Sequence, residues 1–133
     1  MGICVITFHL DTRSGIAPYL QIVAQVRQAL LLGLLAEGDK LPTVKEVVAK
    51  VAINPNTVSK AYRELEHQGL AAAKPGVGTF ITRSLGQASL AVHGPLQDEL
   101  RAWLAKARTA GLTGPGIEAL ISATLREDTE EET

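Results

Sequence analysis

Apolar residues recur at intervals of three and four positions in five stretches of the chain, a period that predicts five α-helices. These stretches span residues 18–35, 43–52, 54–68, 95–110 and 115–127. End signals support three of the starts. Pro18 and Pro55 suit the first position of a helix, and Thr43 precedes Glu46 with the spacing of a capping box. The chain is therefore predicted to be mainly helical.

Short extended runs of residues occur in three other places. Residues 70–74 and 79–82 flank the turn sequence Pro75-Gly76-Val77-Gly78, which predicts a β-hairpin. The apolar start GICVITF, residues 2–8, predicts an edge or capping strand, and Lys40-Leu41 predicts one further short strand. The strand content is thus expected to be small.

Three helices followed by a hairpin is the order of elements in a winged helix-turn-helix domain. We place this domain, with an N-terminal strand or arm, at residues 1–83, and we place a linker at 84–94. A helical hairpin is expected at 95–127 and an acidic flexible tail at 128–133. The fold class is mainly α with a small β-hairpin: a winged helix-turn-helix domain followed by a short two-helix region for dimerisation or effector binding.

The helix predicted at residues 54–68 has two unlike faces when its positions are placed 100° apart. The apolar face consists of Val58, Ala61, Tyr62 and Leu65. The opposite, polar face consists of Asn56, Lys60, Arg63 and His67. A solvated surface helix shows the same pattern, so the faces alone do not decide the role of this helix. Asn56 suits adenine, Lys60 suits guanine or phosphate, and the free helix N-terminus suits phosphate.

Charge is unevenly distributed along the chain, although the net charge is only −1. Residues 40–83 carry seven basic and three acidic side chains, a local charge of +4. Residues 98–133 carry four basic and eight acidic side chains, a local charge of −4. A basic segment that also contains two short helices and a hairpin favours a nucleic-acid partner.

The middle segment resembles the winged helix-turn-helix of the GntR family of bacterial transcription regulators. The resemblance is carried by GDKLPTVKEVVAKVAINPNTVSKAYRELEHQGLAAAKPGVGTFI, residues 38–81. That family shows Gly-Asp-x-Leu-Pro-Ser at the start, Asn-x-x-Thr-Val in the recognition helix and Gly-x-Gly-Thr-Phe in the wing. Upstream, LDTRSGIAPYLQI resembles the first-helix start of the small YtrA-like branch. The likeness covers residues 8–83, and the C-terminal helices fit that branch only in size and pattern.

The resemblance implies a set of DNA-contacting residues. With the polar face of the helix, the candidates are Thr43, Lys45, Asn54, Pro55, Asn56, Thr57, Ser59, Lys60, Arg63 and Gly76. Thr43 takes the place of a phosphate-contacting Ser, Lys45 that of a basic residue, and Gly76 that of the wing-tip glycine near the minor groove.

Three residues depart from the family pattern. Ala52 stands where the family favours Gly, and a left-handed conformation there would cost about 1 kcal/mol. Ala73 and Val77 replace basic residues of the wing. The wing is therefore expected to neutralise fewer phosphates and to flatten the salt dependence of binding.

The function that the resemblance implies is a sequence-specific transcriptional regulator of double-stranded DNA. It would be a ligand-responsive repressor that binds an inverted-repeat operator as a homodimer, with half-sites about one helical turn apart. The alternative is a winged-helix module for protein–protein interaction that never binds DNA. Lys60→Glu distinguishes the two: loss of DNA binding with the fold intact would support regulation, whereas indifference would support the interaction module.

The two C-terminal helices each carry an apolar stripe that a two-helix hairpin cannot bury alone. A second copy of the chain is the expected partner. The expected dimerisation residues are Leu96, Leu100, Trp103, Leu104, Ile117, Leu120 and Ile121. Trp103 and its neighbouring leucines have a second interpretation as the lining of a pocket for a small-molecule effector of unknown identity. A dimer-interface anchor is the favoured interpretation, and both roles are compatible.

No residue spacing indicates catalysis, a metal site or a cofactor. His9, His67 and His93 are scattered singly, and the sequence shows no nucleophile–base pair, phosphate loop or paired acids at useful spacing. The single Cys4 fits a reducing cytoplasm. The apolar start lacks a basic flank and is too short to span a bilayer. We expect a cytoplasmic, non-enzymatic protein with no membrane partner.

Overall fold

The computed structural model describes residues 6–86 and 90–131, with side chains for residues 6–86 and 94–130. Contacts divide the chain into two compact units, Met1–Leu90 and Ala91–Thr133. The elements are, in order, α1 (Pro18–Leu31), α2 (Val44–Lys50), α3 (Pro55–His67), β1 (Ala71–Lys74), β2 (Gly78–Ile81), α4 (Leu90–Thr109) and α5 (Gly114–Glu131). The expected fold class, mainly helical with one small hairpin, is confirmed.

The core of the first unit forms where α1 packs against α3. Ile22 and Val26 of α1, and Val58 and Leu65 of α3, are fully buried. All four predicted apolar positions of α3 are buried, so that part of the pattern is confirmed. Burying each large aliphatic side chain contributes roughly 1.5–3 kcal/mol. This packing fixes the side of α3 that remains for solvent or a ligand.

The segment before α1 forms no strand between Ile6 and Leu10, which corrects the predicted N-terminal strand; residues 1–5 lie outside the described residues. Two glutamines of α1 bind the backbone of this segment instead. Gln25 Oε1 accepts a hydrogen bond from the His9 N–H (2.9 Å), and Gln25 Nε2 donates to the His9 carbonyl (2.5 Å). Gln21 makes the same pair of bonds with Asp11 (2.8 and 3.0 Å). These bonds satisfy the backbone at His9 and Asp11, just after the predicted strand, and fasten it to α1.

The first helix ends at Leu31, before the predicted end at residue 35. Gly33 adopts a positive φ of 75°, and the N–H groups of Leu34 and Leu35 donate to the Ala29 carbonyl (2.9 and 3.2 Å). A left-handed glycine just past a helix is a standard termination signal. Leu35 remains buried although it lies outside the helix.

The hairpin is antiparallel, with Ala71 opposite Ile81 and Lys74 opposite Gly78. Lys40 forms an isolated bridge with Phe80, so the short strand expected at Lys40-Leu41 is present as a single bridge. The Leu41 N–H also donates to the Thr79 carbonyl (2.9 Å). The segment between α1 and α2 is thereby fastened to the base of the hairpin.

The second unit differs from the prediction at both ends. The helix α4 begins at Leu90, so part of the predicted linker 84–94 is helical, and Pro95 lies inside the helix. Residues 90–92 contain neither glycine nor proline, and Pro95 costs the backbone hydrogen bond to residue 91 without ending the helix. At the other end α5 reaches Glu131, so residues 128–131 of the predicted flexible tail are helical, and residues 132–133 lie outside the described part.

The apolar residues of the second unit are unevenly covered. Ala107 and Ile117, on either side of the turn between α4 and α5, are buried. Trp103, Leu104 and Ile121 are half-buried. Leu96, Leu100, Leu120 and Leu125 are 57%, 47%, 43% and 62% exposed. A cleft of about 400 Å³ is lined chiefly by Leu100, Trp103, Leu120, Ile121 and Leu125.

Among the described residues, no helix has the length and apolar character needed to cross a membrane.

Candidate nucleic-acid interface

The N-terminus of α3 is held in place by its cap and by one buried tyrosine. Asn54 is the N-cap, and its Oδ1 accepts a hydrogen bond from the Asn56 N–H (2.8 Å), while Pro55 takes the first turn. The Tyr62 hydroxyl donates to the Pro42 carbonyl (2.5 Å), which ties α3 to the segment that leads into α2. The cap and the Tyr62 hydrogen bond therefore fix the position of the start of α3 relative to the core.

Most of the predicted polar side chains near this end of α3 make no hydrogen bond or ion pair within residues 6–86. Asn54, Pro55, Asn56, Lys60 and Arg63 are exposed, and Thr57 and Ser59 are half-exposed. Within residues 6–86, the side chains of Asn56, Thr57, Ser59 and Arg63 make no hydrogen bond or ion pair. The N–H₂ of Asn54 is also unused there. A row of unsatisfied donors and acceptors beside a helix N-terminus is suited to phosphates and base edges.

The other end of the same helix is tied to the protein itself. Gln68, just past α3, accepts a hydrogen bond from Arg27 of α1 (3.0 Å) and donates to Glu64 (3.0 Å). His67 is exposed in the last turn. The polar surface of α3 is thus divided into a free N-terminal part and a bonded C-terminal part.

The start of α2 carries the predicted capping box. Thr43 Oγ1 accepts from the Glu46 N–H (3.1 Å), and Glu46 Oε1 accepts from the Thr43 N–H (3.3 Å). Hydrogen bonding of the Glu46 carboxylate to the Thr43 backbone N–H, and next to the Thr43 side chain, lowers the pKa of Glu46 below its ordinary value, and Lys40 and Lys50 contribute less. Lys45, beside this cap, is exposed and forms no ion pair in the described part of the chain. Thr43 therefore serves first as a cap, and Lys45 offers the free charge.

Lys60 has an aromatic partner that the sequence did not indicate. Its Nζ lies 4.2 Å from the centre of the Tyr19 ring, at the start of α1. A cation at this distance over a ring face is attracted by the quadrupole of the ring. The polar face of α3 thus includes one lysine supported from a different helix.

Two lysines lie at the wing: Lys74, within the predicted hairpin, and Lys40, from the segment between α1 and α2. Lys74 Nζ lies 4.8 Å from the centre of the Phe80 ring, and Lys40 runs alongside Gly78. A Cβ at Gly78 would come within 2.6 Å of Lys40 Cε, and Gly78 has φ of 144°, so the position favours glycine. Gly76, at the tip, has φ of 77°. The charge expected to be missing at Ala73 and Val77 is partly replaced by Lys40, which only the bridge to Phe80 brings there.

The turn between α2 and α3 is unstrained. Val51, after α2, is extended (φ −128°, ψ 132°), and no described residue other than glycine has a positive φ. Ala52 therefore does not adopt the left-handed conformation that would have strained its backbone. An extended turn accommodates alanine where a left-handed one would favour glycine.

Comparisons with known proteins agree with this geometry. The family model "Bacterial regulatory proteins, gntR family" matches residues 18–81. This chain belongs to the GntR family. The match begins at α1 and ends with β2, so it contains the candidate interface and leaves out α4 and α5.

Individual relatives and solved structures extend the comparison. The HTH-type transcriptional repressor YtrA of Bacillus subtilis is 43% identical over 76 residues, which cover 57% of this chain and 58% of YtrA. The structure of a transcriptional antiterminator from Listeria monocytogenes is 30% identical, covers 90% of both chains and has a TM-score of 0.58. YtrA from Sulfolobus acidocaldarius, 24% identical with a TM-score of 0.53 and coverage of 90% and 97%, shares the fold.

The chain spans a little over half the length of the curated relatives that it matches first. These relatives are named as transcriptional regulators, a non-enzymatic role, in agreement with the expectation that this chain is not an enzyme.

Proposed function

We propose that this chain is a sequence-specific DNA-binding transcriptional regulator. The observation that carries the proposal is a cluster of exposed or half-exposed polar side chains at the capped N-terminus of α3, of which Asn56, Thr57, Ser59 and Arg63 make no hydrogen bond or ion pair within residues 6–86. They lie on a helix whose opposite face is buried, in the position of a recognition helix. Thr43, Lys45, Asn54, Pro55, Asn56, Thr57, Ser59, Lys60, Arg63 and Gly76 are the proposed contact residues. The GntR-family match over this segment and the basic local charge support the same assignment.

The proposed pose follows from the shape of the first unit. The helix α3 enters a major groove with Asn56 and Lys60 towards the base edges, while Lys45 meets a phosphate. The wing, with Gly76 at its tip, approaches the adjacent minor groove. Lys74 is the last residue of β1 before the turn, and the side chain of Lys40 reaches Gly78 at the same end, so both add positive charge near the tip of the wing.

An anisotropy titration tests DNA binding directly. The full chain is titrated against labelled DNA from upstream of its own coding sequence and against a scrambled fragment, over a range of salt concentrations. We expect a preference of about 10³-fold or more for the native fragment, with log affinity falling linearly in log salt. Equal, weak binding to both fragments would favour the protein-interaction module.

A matched pair of charge reversals separates the interface from general electrostatics. Lys60→Glu changes the face of α3, whereas Lys106→Glu makes the same charge change at an exposed position of α4. We expect Lys60→Glu to abolish the preference for the native fragment and Lys106→Glu to retain it. Similar losses in both variants would show that only net charge matters.

We further propose that the chain acts as a homodimer through α4 and α5, in residues 95–127. Leu96, Leu100 and Leu120 are exposed, and half-buried Trp103, Leu104 and Ile121 extend the same apolar surface. Ile117 is already buried, so it supports this surface from behind. A dimer of this kind would place two copies of α3 on an inverted-repeat operator.

Sedimentation velocity tests the dimer, since Leu100→Asp should convert it to monomer at micromolar concentration. Glu99→Gln, at the neighbouring exposed position, is the control and should remain dimeric. A wild-type chain that stays monomeric at all concentrations would overturn the dimer while leaving DNA binding by the first unit open to the anisotropy test.

Repression and response to a ligand complete the proposal. Bacillus subtilis YtrA is named a repressor, and the cleft beside Trp103 offers an apolar lining for an effector. A ligand that binds one dimer pose better than another would change operator affinity by that difference. Trp103 is the single tryptophan of the chain, so its fluorescence reports ligand binding. Operator affinity that no tested metabolite changes would leave the ligand response unsupported.

The cytoplasm is the proposed location of the protein.

A further inference from the structure

We propose that Tyr19 is a positioning residue for DNA recognition, because it holds the ammonium group of Lys60 over its ring. This inference rests on the proposed function, since the role assigned to Lys60 is contact with DNA. Tyr19 itself lies on α1, outside the helix-turn-helix and the wing, and belongs to no candidate set from the sequence. Its chemistry is that of an aromatic face towards a cation.

The geometry of the pair supports an ordered lysine. The Lys60 Nζ is 4.2 Å from the centre of the Tyr19 ring, well inside the range of a cation–π contact. Lys60 is exposed, whereas Tyr19 is half-buried and packs against the hydrophobic core. A ring fixed by the core therefore holds the end of a side chain that would otherwise sample many rotamers.

The start of α1, where Tyr19 lies, is itself restrained. Gln21 Nε2 donates to the carbonyls of Asp11 (3.0 Å) and Ile16 (2.9 Å), which closes the segment before α1 onto the helix. The packing of α1 against α3 then sets the distance between ring and lysine. The restraint on Lys60 thus comes from the scaffold of the unit and not from α3 alone.

The charge of Lys60 remains available to DNA. No ion pair involves Lys60 within the described ranges, 6–86 and 90–131. The nearest carboxylate along α3, Glu64 at one turn's distance, accepts a hydrogen bond from Gln68. An aromatic ring, unlike a carboxylate, orients an ammonium group without neutralising it. A phosphate or a guanine can therefore meet a lysine that is already placed and still fully charged.

A double-mutant cycle on the full chain tests this role. Tyr19→Leu removes the ring face but keeps an apolar side chain of similar bulk, and Tyr19→Phe keeps the ring. In the anisotropy titration against the native upstream fragment, we expect Tyr19→Leu to weaken binding by about 2- to 5-fold. Tyr19→Phe should restore affinity to within about twofold of wild type, because the ring face is what acts.

The background at position 60 separates positioning from a structural role. With Lys60→Met, the additional change Tyr19→Leu should have no further effect on affinity. Lys60→Met should reduce the slope of log affinity against log salt by about one phosphate contact if Lys60 meets the backbone, whereas Tyr19→Leu should leave that slope unchanged. An equal effect of Tyr19→Leu in both backgrounds, or no effect in the wild type, would overturn the proposal.

An NMR measurement without DNA keeps the two proposals distinguishable. The Lys60 Hε protons should be shifted upfield by the ring current of Tyr19, and Tyr19→Leu should remove that shift. If the wild-type chain shows no preference for any native fragment, the proposed function fails and the positioning role fails with it. If it binds with preference but the cycle shows no coupling, only the role of Tyr19 fails.

Discussion

The two regions of the molecule treat the same kind of sequence pattern in opposite ways. In the first unit, the stripe Val58, Ala61, Tyr62 and Leu65 of α3 is buried to 5% exposure or less. In the second, Leu96 and Leu100 of α4 and Leu120 of α5 belong to the predicted apolar stripes of their helices and are 57%, 47% and 43% exposed. Helical periodicity thus predicts which face is apolar, and the tertiary structure decides whether the same chain covers it.

A pair of leucine truncations gives the largest expected contrast between the regions. Leu65→Ala should lower the free energy of unfolding by about 2–5 kcal/mol, because Leu65 has no exposed surface and its loss leaves a cavity. Leu120→Ala should change the stability of the folded chain by no more than about 0.5 kcal/mol, since Leu120 is 43% exposed. Urea unfolding followed by circular dichroism measures both.

The contrast between the two regions would be contradicted if the two truncations lowered the free energy of unfolding by similar amounts at low protein concentration. If the cost of Leu120→Ala appears only as protein concentration rises, it belongs to association between copies. That result would sharpen the contrast, because the second stripe would then be covered by a partner.

Two glycines provide the next contrast, with opposite expected signs. A Cβ at Gly86, at the end of the first unit, would lie 2.2 Å from the Leu31 carbonyl oxygen, while the Gly86 N–H donates to the Leu30 carbonyl (3.1 Å). Gly86→Ala should therefore cost about 1–3 kcal/mol through overpacking. Gly94, inside α4, has open space around its Cβ position, so Gly94→Ala should stabilise by up to about 1 kcal/mol.

Thermal unfolding of both glycine variants checks these signs. A stable Gly86→Ala protein would mean that the chain leaves the first unit by a different route. The close approach of Gly86 to the Leu31 carbonyl would then not be needed to hold this segment against the end of α1.

Two threonine caps, one in each region, give a smaller contrast. Thr43 Oγ1 accepts from the Glu46 N–H at 3.1 Å and the Thr43 N–H donates in return to Glu46 Oε1, whereas Thr113 Oγ1 accepts from the Gly116 N–H at 3.4 Å without such a return. Thr43→Ala should cost about 1 kcal/mol, and Thr113→Ala about half of that or less. Denaturant midpoints measure the pair, and the reverse order would show that the reciprocal bond adds nothing.

Local signals explain why much of the first unit could be predicted from the sequence. The caps at Thr43 and Asn54, the apolar face of α3 and the glycine turn at Gly76 all depend on residues within a few positions of one another. Those interactions are local, so spacing is sufficient to recognise them. The candidate DNA-binding face of α3 could be predicted from the sequence for the same reason.

Contacts between distant residues explain the failures. Within residues 6–8 the predicted N-terminal strand was wrong, and no periodicity indicates that Gln21 and Gln25 bind the backbone just after it, at Asp11 and His9. Tyr19 beside Lys60, and Lys40 beside Gly78, depend on how elements pack. At the predicted linker the error was different: Pro95 was interpreted as a helix start, although the helix continues through it.

The smallest effect concerns the pH dependence of the capping box, which exists only in the first region. The hydrogen bonds from Thr43 hold the pKa of Glu46 below its ordinary value, so the unfolded chain binds the proton more readily than the folded one. The contribution of Glu46 to stability is therefore present at neutral pH, above the ordinary pKa, and is lost as the pH falls through the lowered pKa of the folded state. Glu46→Gln should lower the unfolding midpoint at pH 7 and make little difference near pH 3, and Glu118→Gln, at an exposed position of α5, is the matched control for the charge change. Urea midpoints of the wild type and both variants at the two pH values decide the matter. A Glu46→Gln effect that is as large in acid as at neutrality would show that the carboxylate charge has no part in the cap.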